Sequence, residues 1–130
     1  MTRWMMVMGL VIALAGCGGP AAAESPLDAW AQAVAEGDAA GAAAFMQTPP
    51  DDWAFQVSKV HREPVTGYRI AKPLAPASDG ASGEVATVVW ERQSDDPVLR
   101  YACIRTVRVL DDRIVVKRDS VGLCDADGNQ

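Results

Sequence analysis

The residues best suited to acid–base chemistry are a single histidine and three pairs of adjacent aspartates. A catalytic histidine would need a carboxylate beside it in a closed pocket, whereas His61 lies between Val60 and Arg62 in a predicted loop. Capping and turn chemistry explain the aspartate pairs, because all three fall at predicted helix starts or turns: Asp51-Asp52, Asp95-Asp96 and Asp111-Asp112. We therefore expect no catalytic residues and no enzymatic activity.

Two arginines are the candidate ligand-binding residues. If Asp111-Asp112 is a two-residue turn, the flanking strands pair so that Arg105 lies directly opposite Arg118. Like charges at opposing positions are unfavourable unless something compensates. Either an anionic ligand binds over the pair, or both side chains reach the rim and meet carboxylates such as Asp51 or Asp52.

The same register predicts which face of the hairpin the helices cover. That face carries the two arginines together with Tyr101, Cys103, Val107, Val109, Ile114 and Val116. A bulge at the turn would reassign the faces.

The N-terminus has the pattern of an export signal. One cation, Arg3, precedes an apolar run from Trp4 to Gly16, which is shorter than the roughly 20 residues that a membrane-spanning helix needs. The end of this run and the cysteine after it, Leu14-Ala15-Gly16-Cys17, resemble the lipobox of bacterial lipoproteins at all four positions. The resemblance implies cleavage before Cys17 and lipid attachment to its sulfur; the alternative is an ordinary secretory signal with an incidental cysteine.

Lipidation of Cys17 would anchor the chain in a membrane, because several acyl chains together give stable binding. Residues 1–16 are then the signal peptide and residues 17–24 a lipidated cysteine with a flexible tether. In Gram-negative lipoproteins an Asp directly after the lipidated cysteine commonly signals retention in the inner membrane. This chain has Gly18 at that position. We therefore expect the periplasmic face of the outer membrane in a Gram-negative host, and otherwise the outer face of the plasma membrane.

Two further cysteines, Cys103 and Cys124, remain in the exported domain. Paired cysteines are usual outside the cytoplasm, so we predict a disulfide that stabilises the domain by about 3 kcal/mol; two buried free thiols are the alternative. With only one histidine and these two cysteines, the domain has too few ligands for a credible zinc site. The segment DADGN at residues 125–129 resembles the start of a calcium loop but lacks the further ligands, so residues 125–130 are expected to be a disordered tail, with neither metal nor cofactor.

The charge balance limits the partners. The formal net charge is −5, and removal of Arg3 with the leader makes it one unit more negative. No stretch rich in Lys and Arg is interleaved with aromatic residues, so we expect no nucleic-acid binding.

The remaining sequence predicts one α+β domain over residues 25–124. Helices are expected from Ser25 to Glu36, over residues 39–46 and from Asp51 to Val60, on the basis of caps and helical spacing. The period then changes to two, which predicts a curved antiparallel meander of about four strands, at residues 68–73, 84–93, 98–110 and 113–121.

This order, together with LDAWAQAVAEGDAAGAAAFM at residues 27–46, resembles small lipoproteins of the nuclear transport factor two-like, or ketosteroid-isomerase-like, superfamily. The cystatin-like fold is a near alternative. The resemblance implies a helix-covered sheet but no particular activity. The sequence thus predicts a non-catalytic binding or interaction domain in the cell envelope, with an unknown envelope protein or small ligand as partner. The alternatives are an anionic ligand over Arg105 and Arg118, or an isomerase-like enzyme.

Overall fold

A computed structural model describes residues 25–78 and 80–130. It contains three helices, α1 (Pro26–Ala35), α2 (Ala39–Ala43) and α3 (Trp53–Val60). An open antiparallel sheet follows, made of β1 (Val65–Pro76), β2 (Glu84–Arg92), β3 (Tyr101–Leu110), β4 (Arg113–Val115) and β5 (Val121–Leu123). The α+β prediction is confirmed for these residues. The predicted signal peptide, lipobox and tether lie outside them.

The first two helices begin where their capping residues predict. The Ser25 hydroxyl accepts the amide hydrogen of Asp28 at 3.1 Å, and the Asp38 carboxylate accepts that of Gly41 at 2.9 Å. Gly37, with φ of +77°, ends α1 in the left-handed region that favours glycine. Local chemistry therefore sets the break between α1 and α2.

The sheet has the order β1-β2-β3-β4, and β5 also pairs with β3. Strand β1 is longer than the predicted strand at residues 68–73, because Pro73 lies inside it rather than at its end. A proline is tolerated there since β1 is an edge strand, and the pairing with β2 shifts between Lys72 and Ala75.

Five strands replace the expected four because the predicted strand at residues 113–121 is divided. The tight turn at Asp111-Asp112 is confirmed, with φ of +53° and +62° at the two residues. The chain leaves the sheet after Val115 and rejoins it at Val121.

Three tryptophans fill the space between the helices and the sheet. The Trp30 ring stacks on Trp53 with centroids 5.8 Å apart and meets the edge of Trp90 at 5.7 Å. The indole N–H groups of Trp53 and Trp90 donate to the carbonyls of Ala39 and Ala31, whereas that of Trp30 has no partner among the described residues. Met46, Ile104 and Ile114 complete the buried layer. The helix-facing side of the sheet is therefore packed with side chains.

Candidate functional site

A bulge inside β3 moves the candidate residues to the face of the sheet opposite the helices. Ala86 pairs with Val107 but Val88 pairs with Ile104, so Arg105 and Thr106 together oppose Thr87. The Thr87 hydroxyl donates to the Arg105 carbonyl at 2.9 Å. An extra residue in one strand reverses the alternation of side chains beyond it.

The bulge corrects part of the predicted face. Val107, Val109, Ile114 and Val116 do pack in the helix-covered core, as expected, but Ala102 and Ile104 join them. The prediction that Tyr101, Cys103 and Arg105 share this face is wrong. These three side chains belong to the outer face, defined here as the side of the sheet away from the helices.

The predicted hairpin register is confirmed next to the turn and wrong farther along. Leu110, Val109 and Arg108 pair with Arg113, Ile114 and Val115. Beyond them, Ile104 pairs with Val121 and Cys103 with Gly122, so the returning chain contains two extra residues. Arg118 therefore does not pair with Arg105. It lies in the loop of residues 116–120, in which Asp119 has φ of +54°.

Helix α3 holds this loop in place. The fully buried Gln56 donates to the Lys117 carbonyl at 3.0 Å and accepts the Ser120 amide hydrogen at 3.0 Å. The Asp52 carboxylate accepts the Asp119 amide hydrogen at 2.9 Å, and Lys59 forms an ion pair with Asp119 at 3.2 Å. These contacts fix the backbone that carries Lys117 and Arg118.

The charge of Arg118 acts on Asp52. Partial desolvation raises the pKa of Asp52, but hydrogen bonds from Gln56 and the Asp119 amide, together with the positive charge of Arg118, leave it below its usual value. In the part of the chain that the structure describes, Arg118 forms no ion pair, since the one present joins Lys59 to Asp119. Asp52 therefore accepts one hydrogen bond from the loop backbone and one from the Gln56 side chain.

Arg105, Lys117 and Arg118 line one groove on the outer face, which we call the basic groove. Its volume is ≈ 360 Å³, and Cys103, Thr106, Asp119, Ser120, Gly122 and Gln130 also border it. Among the described residues, Asp119 is the one acidic residue of the lining, and its carboxylate is paired with Lys59. Arg105 donates to the side-chain oxygen of Gln130 at 3.1 Å. The two candidate arginines are thus brought together, but in an open groove rather than over a helix-covered cavity.

A second groove, the apolar groove, adjoins the basic groove. It has a volume of ≈ 620 Å³ and is lined chiefly by Pro97, Val98, Tyr101, Leu123 and Cys124. Val98 is 62% exposed and Leu123 is 42% exposed. A short 3₁₀ helix at Pro97–Leu99, where a strand was predicted, supplies one wall. Its position is fixed by buried Arg92, which donates to the Leu99 carbonyl at 2.9 Å and to the Lys59 carbonyl at 3.2 Å.

Residues 125–130 form a hydrogen-bonded loop on the outer face, and the disordered tail stays a prediction. The Asp125 carboxylate accepts amide hydrogens from Asp127 at 2.9 Å and Asn129 at 3.0 Å. These bonds, the one to Asn129 foremost, lower the pKa of Asp125. The carboxylate that would begin a calcium loop is therefore used to close the turn. No group of three metal-binding side chains occurs in residues 25–78 and 80–130.

Three cations of the sheet hold this C-terminal loop. Arg69 donates to the Ala126 carbonyl, Lys72 donates to the Asn129 side chain at 3.1 Å, and Arg105 donates to Gln130 as described. Gly128 is buried against the sheet, where an added Cβ would come within 2.7 Å of the Thr87 methyl group. Only glycine fits this close approach.

Cys103 and Cys124 are both thiols in the structure. The interaction between the two neighbouring thiols lowers the pKa of Cys103 and, with burial, raises the pKa of Cys124. In the register predicted from the sequence, Cys103 lies opposite Ser120, which is four positions before Cys124. In the structure, the two extra residues put Cys103 opposite Gly122, which is two positions before Cys124. The disulfide stays a prediction.

The remaining sequence candidates have structural contacts. His61 follows α3, and its Nε2 atom lies 2.7 Å from the Val34 carbonyl oxygen. The Asp96 carboxylate caps the 3₁₀ helix by accepting the Val98 amide hydrogen at 3.0 Å. Asp52 begins α3 without a side-chain cap and contacts the 116–120 loop instead.

Comparison of the chain with protein-family models, with curated proteins and with solved structures gives no match. The described helices include none with the length and apolar character needed to cross a membrane. The lipobox and superfamily resemblances stay predictions.

Proposed function

We propose that this protein is a membrane-anchored, exported lipoprotein whose domain binds another envelope protein through the outer face of its sheet, without catalysis. The lipobox at Leu14-Ala15-Gly16-Cys17 supports the anchor. The order of three helices followed by an antiparallel sheet supports a fold of the nuclear transport factor two-like kind. In a Gram-negative host the proposal places the domain on the periplasmic face of the outer membrane.

The apolar groove is the observation that carries this proposal. The helix-facing side of the sheet is occupied by Trp30, Trp90 and other core side chains, so the open surface lies on the opposite side. Val98 and Leu123 are exposed there beside a groove of ≈ 620 Å³. Exposed apolar side chains that cluster around a groove favour a protein partner.

The basic groove specifies the chemistry of that partner. The chain has a formal net charge of −5, so Arg105, Lys117 and Arg118 form a local exception to an acidic protein. Among the described residues, neither Lys117 nor Arg118 uses its side chain in a hydrogen bond. Charge complementarity then favours a partner segment that carries an apolar side chain next to acidic residues.

A photoreactive amino acid placed at Val98 tests the proposal in the full-length chain. We expect a covalent adduct with an envelope protein from this position. The matched control is Phe55 on α3, which is apolar and 56% exposed but lines neither groove. It should give no adduct.

A second candidate function is the binding of a small anionic ligand in the basic groove. The observation that favours it is the presence of three cations on one groove of ≈ 360 Å³, which is large enough for a phosphate- or carboxylate-bearing molecule.

For this candidate, inorganic phosphate should raise the melting temperature of the full-length protein, and both Arg105→Ala and Arg118→Ala should reduce the shift. Arg62→Ala removes an exposed cation that does not line the basic groove and should leave the shift unchanged. Equal shifts in all three variants would show general ionic stabilisation and rule out a phosphate site formed by these arginines.

A further inference from the structure

We propose that Cys103 and Cys124 form an exchange-competent dithiol that is oxidised through Cys124, and that its disulfide fixes the C-terminal loop on the outer face of the sheet. The proposal stands on the β3–β5 pairing and the unequal exposure of the two thiols, and does not depend on the anchor or the partner.

The strand register places the two thiols on one face without a side chain between them. Cys103 pairs with Gly122. Cys124 is two positions after Gly122, directly beyond the end of β5, which makes the two cysteines diagonal neighbours. The Cys124 amide donates to the Tyr101 carbonyl at 3.4 Å, which extends the pairing to that position. β5 has only three residues, so it can shift by the small amount that disulfide geometry requires.

The two thiols differ in access. Cys103 is 1% exposed, whereas Cys124 is partly exposed and lines the apolar groove. A bulky oxidant can therefore reach Cys124 but not Cys103. Once a mixed disulfide has formed on Cys124, the neighbouring Cys103 thiol is in place to attack its sulfur within the same molecule.

The oxidation proceeds by two exchange steps with a disulfide R–S–S–R, such as the active site of an oxidised dithiol protein. The raised pKa of Cys124 makes the first step slow, and access alone selects this thiol. Cys124 loses its proton, its thiolate attacks one sulfur of this disulfide, a mixed disulfide forms and the first R–S⁻ leaves. The Cys103 thiolate then attacks the Cys124 sulfur, the Cys103–Cys124 bond forms and the second R–S⁻ leaves. The two cysteine protons pass to the departing thiolates, and two electrons pass to the oxidant, which is reduced to two thiols.

The bond would act on the C-terminal loop because Cys124 immediately precedes it. The loop is held by hydrogen bonds to Arg69, Lys72 and Arg105 that are all exposed, and exposed contacts of this kind open locally at low cost. A disulfide at Cys124 restricts the chain where such an opening would begin. Opening of the loop would release these three cations on the outer face.

Exchange mapping with glutathione disulfide tests the entry point. All full-length proteins carry Cys17→Ser, so that only two thiols remain. This parent protein should lose two hydrogens in mass and retain no glutathione. Cys103→Ser should retain one glutathione on Cys124, whereas Cys124→Ser should retain none while folded and one in urea.

A second measurement tests the effect on the loop. The amide hydrogens of Asp127 and Asn129 are bonded to the Asp125 carboxylate. Their exchange with solvent should be slower in the oxidised parent protein than in the reduced one. The β2 amides serve as the reference for global stability. Circular dichroism identifies any variant that does not fold, and Cys124→Ala then replaces Cys124→Ser.

Any of three results would overturn the proposal. The first is a glutathione adduct on Cys103 in folded Cys124→Ser or Cys124→Ala. The second is a parent protein that keeps two thiols in glutathione disulfide. The third is equal loop exchange in the oxidised and reduced states.

Discussion

Cys17→Ala is expected to abolish incorporation of labelled fatty acid completely and to remove the processed, lipid-anchored form from the membrane fraction. Cys17 supplies the only thiol at the end of the apolar leader, and stable anchoring of a domain without a spanning helix requires more than one acyl chain. The variant should accumulate as an uncleaved precursor or as soluble protein. Fractionation and metabolic labelling with palmitate measure both effects.

The matched control for anchoring is Cys124→Ala, which removes a thiol far from the leader. It should keep both the label and the membrane location. An unmodified mature N-terminus in the native protein, detected by mass spectrometry, would contradict the lipoprotein proposal.

Gln56→Ala is expected to lower the free energy of unfolding by about 2–4 kcal/mol, because it removes hydrogen bonds to two backbone groups and creates a cavity. The groups are the Ser120 amide, which loses its partner, and the Lys117 carbonyl, which keeps the Ser120 hydroxyl as a donor. Since they belong to the loop that carries Arg118, the variant should also weaken phosphate binding, if the basic groove binds it. Urea denaturation measures the stability.

Gln32→Ala provides the comparison, because Gln32 on α1 also donates from its side chain to a carboxylate, that of Glu36 at 2.8 Å, but is exposed. Its change should stay within about 0.5 kcal/mol. If the two variants have the same stability, Gln56 does not support the loop.

The sequence predicts the parts of the fold that local chemistry determines. Ser25 and Asp38 cap helices as expected, and Asp111-Asp112 forms the tight turn that fixes the adjacent register. These features depend on interactions within a few residues, so they can be recognised without knowledge of the tertiary packing.

The irregularities of the sheet depend on packing between distant segments, and the prediction missed them. A single period of two was assumed through β3, although Ala102, Ile104, Val107 and Val109 change phase between residues 104 and 107. That phase change is the signal of the bulge. The loop at residues 116–120 has no comparable signal, because it is held by Gln56 and Asp52 from another element.

The sequence predicted Arg105 and Arg118 as a cross-strand pair on the helix-covered face, whereas the structure places both on an open groove of the outer face. Gln56 could have been recognised, since it falls at helical spacing with Trp53 and Val60 on the buried side of α3. A polar residue buried on an apolar face generally has specific partners. Arg92 and the docking of the C-terminal loop gave no such pattern, because Arg92 donates to backbone carbonyls and the loop is tied to the sheet by residues distant in sequence.

The central claim, that the outer face binds a protein partner, is tested most directly by photo-crosslinking from position 98 in the lipidated chain in its native envelope. The account predicts an adduct whose partner peptide contains acidic residues, its loss when Arg118→Glu is added, and its retention with Arg62→Glu. Position 55 should give no adduct. Adducts of equal yield from positions 98 and 55, or an adduct from position 98 that Arg118→Glu leaves unchanged, would contradict the account.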